Sequence, residues 1–307
     1  MHHNVWRGAT LLLTTAATVV AVGGTATAAA APTTVNISAV AQEEAAQFWT
    51  PERMRSAQPL DVRVNAMPKT VPAGDPVTIA SFPNTGAAWT GGGTVVTTTG
   101  RVFFTMGDRT ASCSGSAVVS TNKSTVITAG HCVKYQGAWH TNWTFVPAYN
   151  NGNAPYGTWT ARSLQATPQW VASENISYDI GAAVVNTLNG QSLTDVVGGQ
   201  SIAFNQARSQ NMYAFGYPAA APYDGTKLVY CSGKAFDEFL GTGDIGLNCN
   251  MTGGASGGPW FLSFSESAGT GALNSVNSFK YSFSTKYMFG PYFGTDALNL
   301  YNAAQSA

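Results

Sequence analysis

Cys113–Cys132 is CSGSAVVSTNKSTVITAGHC, and its pattern sets the expected architecture. Within it SAVVS and TVITA are short runs rich in β-branched residues, joined by the polar Thr121, Asn122 and Lys123. Such a pattern spells two strands and a turn, hence a hairpin, whose second strand delivers His131 to a loop end. Upstream, GGGTVVTTTGRVFFTM continues the theme. Downstream, DIGAAVV, NMYAFGYP, KLVYCSG, IGLNCNM, GPWFLSF and ALNSVNSFKYS are runs of strand length between Gly, Asn, Asp and Pro punctuation. The whole predicts an all-β sandwich or barrel. Only TDALNLYNAA, with Thr295 or Asp296 as N-cap, reads as a helix, close to the C-terminus. No repeat at a solenoid period is present.

Composition narrows the function classes. The 307 residues suffice for two modest cores. Charged residues make up only 10% of the chain and sum to zero net charge, and no Lys/Arg run could neutralise phosphates, so nucleic acid is not an expected partner. At the N-terminus His2, His3 and Arg7 precede the apolar LLLTTAATVVAVGG, and small residues run through Ala28–Ala31 before Pro32. This is the layout of an export signal over residues 1–31, too short and Thr/Ala-rich to span a bilayer well. The expected product is secreted, extracellular and free of the membrane once the signal is removed. Residues 32–85 carry most of the early charges, in EEAAQFWTPERMRSAQPLDVRVNAMP, and fit either a propeptide or a linker. The four cysteines, Cys113, Cys132, Cys231 and Cys249, suit an oxidising compartment. They allow three pairings, and their grouping into two close pairs favours 113 with 132 and 231 with 249. With no CxxC and few histidines, neither a metal nor another cofactor is expected.

Chemistry concentrates in two motifs. Once His2 and His3 leave with the signal, His131 and His140 are the only imidazoles left to act as a general base. His131 sits in TAGHC, at the end of an apolar strand and beside a cysteine able to pin its loop. Ser256 lies in TGGASGGPW, where Gly253, Gly254, Gly257 and Gly258 let the backbone turn sharply and aim N–H groups at a developing oxyanion. Gly254 and Ser256 are the expected donors. A serine hydroxyl needs such a base, and a third group to hold that base in one tautomer.

TAGHC and GGASGGPW together resemble the histidine and serine signatures of the chymotrypsin/trypsin-like serine peptidase family, most closely its bacterial secreted branch, which includes the V8-like glutamyl endopeptidases. The resemblance covers about residues 90 to 303. It implies two six-stranded antiparallel β-barrels, residues 86–190 and 191–307, with the active site in the cleft between them and a short terminal helix. It implies a serine-type endopeptidase acting on protein or peptide substrates and working as a monomer; if residues 32–85 are a propeptide rather than a linker, the chain is a zymogen with that propeptide as a further partner. The family order His, Asp, Ser requires an acid between residues 131 and 256, where Glu174, Asp179, Asp195, Asp224, Asp237, Glu238 and Asp244 are available. Asp179 matches, because YDIGAAVV resembles the family's aspartate followed by a small, apolar strand. Catalytic His131, Asp179 and Ser256 follow by resemblance, with one disulfide tying the histidine loop and the other bridging the second barrel.

The chain departs from the family pattern at the pocket. Ala255 precedes the serine where many animal members carry Asp, which removes the terminal ion pair of their activation switch. Asn250 stands six residues before Ser256, where a trypsin-specific member has Asp. SVNSFKY resembles the pocket wall, so Asn250, Thr252, Ser278, Phe279 and Lys280 are the expected substrate-binding residues. Asn277 stands where the glutamyl branch has His. The rival readings are a catalytically inactive binding module on the same fold, and an α/β-hydrolase, whose triad order is opposite.

Overall fold

The computed structural model describes residues 1, 30–65 and 82–307. Nearly all of the expected signal segment, and residues 66–81 of the leader, lie outside the described residues.

The hairpin forms and seeds a closed barrel. Arg109–Ala117 pairs antiparallel with Thr125–Thr128, placing Ser116 opposite Ile127 and Ala117 opposite Val126. From there the ladder passes to Gly181–Val185, Trp159–Ala166, Thr141–Pro147 and Thr99–Met106, and returns to Arg109–Ala117. Six antiparallel strands close on themselves, so none of these strands is left as a free edge of the ring. Val102, Val126, Phe145, Leu164 and Ala182 are fully buried in this core. All of Gly181–Val185 is buried, on one face by the barrel and on the other by the terminal helix Thr295–Gln305. The hairpin turn is longer than the polar triplet alone suggests. Asn122 Oδ1 accepts hydrogen bonds from Ser124 N and Thr125 Oγ1, and Lys123 adopts φ +56°, so the strands stop at Ala117 and resume at Thr125.

The second lobe surrounds a separate core of Met212, Val229, Leu247, Met251 and Trp260. One wall is a six-stranded sheet in the order Ser201–Ile202, Thr270–Val276, Pro259–Ser265, Asn211–Gly216, Val229–Lys234, Asn84–Ala88. The other is the three-stranded sheet Phe236–Asp237, Ile245–Asn248, Tyr287–Gly290. The Cys231–Cys249 disulfide joins the two walls. Two segments cross between lobes: Asn84–Ala88 precedes the first barrel yet pairs in the second lobe, while the terminal helix, late in the chain, packs on the first barrel.

The leader is more structured than its composition suggests. Thr33–Asn36 adds a strand to Trp159–Ala166. Ala39–Phe48 and Pro51–Ser56 are helices, although TDALNLYNAA alone reads as helical in the sequence. Their start signals are ordinary: Ser38 Oγ accepts from Ala41 N, Thr50 Oγ1 accepts from Arg53 N, and Pro51 opens the second helix. Trp49, Met54 and Ala57 are buried against the first barrel, and Trp49 Nε1 donates to Asn142 O at 2.6 Å. The terminal helix begins at Thr295 with Gly294 in the N-cap position and no side-chain cap, so neither Thr295 nor Asp296 takes that role.

Candidate active site

His131 is held from three sides. It follows the strand Thr125–Thr128, in the short 3-10 turn Gly130–Cys132, and Cys132 is bonded to Cys113 on the neighbouring strand. Three loop carbonyls receive aromatic N–H donors: His131 O from His140 Nε2 at 2.8 Å, Cys132 O from Trp143 Nε1 at 2.9 Å, and Lys134 O from Trp170 Nε1 at 2.8 Å. Burial lowers the His140 pKa to about 4. That ring is therefore neutral near pH 7, and as the Nε2–H tautomer it donates to the His131 carbonyl while stacking on Phe104 at 4.2 Å between centroids. The sequence signal for this role was only that His140 is the second available imidazole.

Asp179 ends the turn before Gly181–Val185 and faces His131 with both carboxylate oxygens occupied. Its Oδ2 lies 2.7 Å from His131 Nδ1, and its Oδ1 accepts from His131 N at 2.7 Å. Ser278 Oγ of the second lobe donates to Oδ2 at 2.5 Å. His131 and Asp179 are fully buried, in a setting where an oriented imidazole–carboxylate pair fixes one tautomer and leaves Nε2 to act.

The loop of Ser256 comes from the second lobe and is fastened to the first. Ser114 N donates to Ser256 O at 2.6 Å, and Ser114 Oγ donates to Gly254 O at 2.9 Å. Behind the loop, Asn277 Nδ2 donates to Phe215 O and Ala255 O while its Oδ1 accepts from Trp260 Nε1. Gly254 and Gly257 adopt φ +93° and +77°, and a Cβ on Gly257 would lie 2.0 Å from Thr128 Oγ1. Only glycine fits that position.

The structure thus brings His131 and Asp179 into direct hydrogen-bond contact and gathers the Ser256 loop beside them. The expected substrate-binding side chains make contacts of their own within the described residues. Ser278 turns its hydroxyl onto Asp179, and Phe279 is buried among Tyr281 and Phe289. Lys280 is 2% exposed, donates from Nζ to Cys249 O and Thr285 O, and is pushed down to about 7 by burial. Thr252 Oγ1 donates to Ala220 O, and the exposed Asn250 accepts from the Tyr223 hydroxyl. Both expected disulfides form. The Cys113 and Cys132 sulfurs and the His131 imidazole cluster within 4.8 Å, but a disulfide leaves no thiolate to bind a metal.

No protein-family model matches the chain. Among solved structures, the protease Anisep from Arthrobacter nicotinovorans is 49% identical with a TM-score of 0.66, the similarity covering 69% of this chain and 96% of that one. The thermostable serine protease AL20 from an extremophilic microorganism is 41% identical with a TM-score of 0.66, covering 70% of this chain and 99% of that one. The chain belongs to the trypsin-like serine peptidase family. A Glu endopeptidase, 18% identical with a TM-score of 0.57 over 75% of this chain and 100% of that one, shares the trypsin-like fold. An extracellular metalloprotease of Bacillus subtilis (strain 168) is 35% identical over 85 residues, 27% of this chain and 26% of that protein, so the match spans about a quarter of that relative's length. As a trypsin-like peptidase the chain is a serine-type endopeptidase, a hydrolase with two disulfides.

Proposed function

We propose that this serine peptidase is exported and cleaves peptide bonds through an acyl-enzyme on Ser256. The contact that carries the reading is the 2.7 Å approach of Asp179 Oδ2 to His131 Nδ1. With Nδ1–H committed to the carboxylate, Nε2 is free to take the Ser256 proton as Oγ attacks the substrate carbonyl carbon. The negative charge that develops on the carbonyl oxygen is received by the N–H groups of Gly254 and Ser256. His131 then returns the proton to the leaving amine, the C–N bond breaks, and water repeats the sequence to release the acid and restore Ser256. Substrate main chain would lie along Ser278, Phe279 and Lys280, with Asn250 and Thr252 near its side chain.

Export is supported by the signal-like residues 1–31 and by the two disulfides, which belong in an oxidising compartment. No helix among the described residues is long and apolar enough to cross a membrane. Residues 32–85 would be the propeptide, followed by an N-terminal lobe to residue 190 and a C-terminal lobe to residue 307, acting as a monomer. Labelling with a serine-directed phosphonate tests the reading: one adduct on Ser256 is expected. A folded chain that hydrolyses peptides with Ser256 unlabelled would refute it.

A further inference from the structure

The cleft is occupied by the chain's own leader. After the helix Pro51–Ser56, residues 58–65 run between the lobes. Gln58–Pro59 pairs in parallel with Ala111–Ser112 of the first barrel, and Arg63–Val64 pairs in parallel with Lys280–Tyr281 of the second lobe. Between these ladders Leu60 N donates to Ser112 O at 2.9 Å, and Leu60 O accepts from Gly254 N at 2.9 Å and from Ser256 Oγ at 3.4 Å. Lys280 N donates to Val62 O, and Ser282 N to Val64 O. The Val62 side chain is buried among Phe279, Tyr281, Tyr287 and Phe289.

Resting on the catalytic reading above, we propose that Gln58–Asn65 is an autoinhibitory strap that keeps the leader-bearing peptidase latent by seating the Leu60 carbonyl on the donor meant for a substrate's oxyanion. Two observations make the strap a plug rather than a substrate. First, a peptide set for cleavage must offer its leaving nitrogen to the base, because the imidazole has to protonate it. His131 Nε2 has no hydrogen-bond partner among the described residues, so neither Asp61 N nor the Ser256 hydroxyl engages it. Second, the Ser256 hydroxyl is hydrogen-bonded to the Leu60 oxygen, which diverts it from the imidazole that would activate it. The strap also fills the backbone edge at Lys280–Tyr281 and the apolar hollow under Val62, which an incoming peptide would need. Anchoring is supplied upstream: Thr33–Asn36 extends the first barrel's ladder, and Trp49 and Met54 are buried against that barrel. Tethering holds the strap at a high effective concentration, so modest local contacts are enough to exclude substrate.

The test uses the purified chain with its leader attached and follows phosphonate adduct formation on Ser256. Val62→Asp places a charge in the aromatic hollow, and Leu60→Pro removes the N–H that binds Ser112 O. Either variant is expected to react on the order of tenfold faster than wild type or more, as the tethered competitor is released. Circular dichroism of the two variants identifies which is properly folded and scored. Mass spectrometry of the wild-type chain after prolonged incubation is expected to find the Leu60–Asp61 bond intact. Equal labelling rates in wild type and both variants would overturn the strap while leaving the catalytic reading in place, and so would scission at Leu60–Asp61. Absence of labelling in every chain would overturn the catalytic reading and the strap with it.

Discussion

The Ser278 hydroxyl of the second lobe donates a 2.5 Å hydrogen bond to Asp179 Oδ2 in the first, across 99 residues of sequence. It shares that oxygen with His131 Nδ1, so the carboxylate that orients the imidazole is itself oriented from the opposite lobe. Hydrogen bonds to a charged group contribute about 1.5–3 kcal/mol, which translates to a roughly 10- to 100-fold fall in kcat for Ser278→Ala. KM should change little. Steady-state kinetics on a peptide substrate check this, and Ser278→Thr should recover part of the loss.

Gly257→Ala is expected to destabilise the fold and silence the site together. Its φ of +77° disfavours any side chain, and the added Cβ would sit 2.0 Å from Thr128 Oγ1 and 2.5 Å from Ser114 O. Backbone strain and overpacking combine to about 2–6 kcal/mol, measurable by urea denaturation. Gly137→Ala, at a positive φ where the added Cβ would have no atom of the described residues within 4 Å, should cost less.

His140 supports the base loop without touching substrate. His140→Phe keeps the stacking on Phe104 but strands the His131 carbonyl, a loss of about 1–3 kcal/mol. Burial depresses its pKa from 6.5 to about 4, so the unfolded chain binds a proton there that the folded chain refuses. That contribution to stability is present above pH 6.5 and is lost as pH falls through about 4. Thermal melts of the two chains from pH 4 to pH 8 should therefore converge at the acid end.

Asp244 carries the opposite sign. Burial, aided by the neighbouring Asp179 and Glu238 carboxylates, raises its pKa to about 7, and its Oδ1 is buried without a hydrogen-bond partner among the described residues. Between pH 3.8 and about 7 the folded chain holds a proton that the unfolded chain has released, so this group's contribution falls as pH rises through that window. Asp244→Asn should gain on wild type progressively with pH and then level off above about pH 7. Melting temperatures of the pair across the window provide the check.

The part of the fold legible in the sequence was the part set by local pattern. Residues 113–132 revealed a hairpin because β-branched runs alternate with turn residues, and the six later runs from DIGAAVV to ALNSVNSFKYS all contain strands. His131 and Ser256 stood out because cysteine and glycine crowd them, while Asp179 needed the family order. The hidden part depends on long-range contacts. The ladders at Gln58–Pro59 and Arg63–Val64 are two residues each, with partners 53 and 217 positions away, which no local periodicity encodes. The helix Ala39–Phe48 has a weakly amphipathic surface with only Ala45 buried, so its apolar pattern is faint. For Ser278 and Lys280 the motif gives a position in the chain but not a rotamer. One turned toward Asp179 and the other toward main-chain carbonyls.

Ser256 chemistry is decided by hydrolysis of a peptide library by the chain carrying Val62→Asp, with and without Ser256→Ala. The expected result is peptide-bond cleavage that falls by about 10⁶-fold when Ser256 is replaced, by analogy with other triad serines. Cleavage by the properly folded Ser256→Ala chain within tenfold of its parent would contradict it.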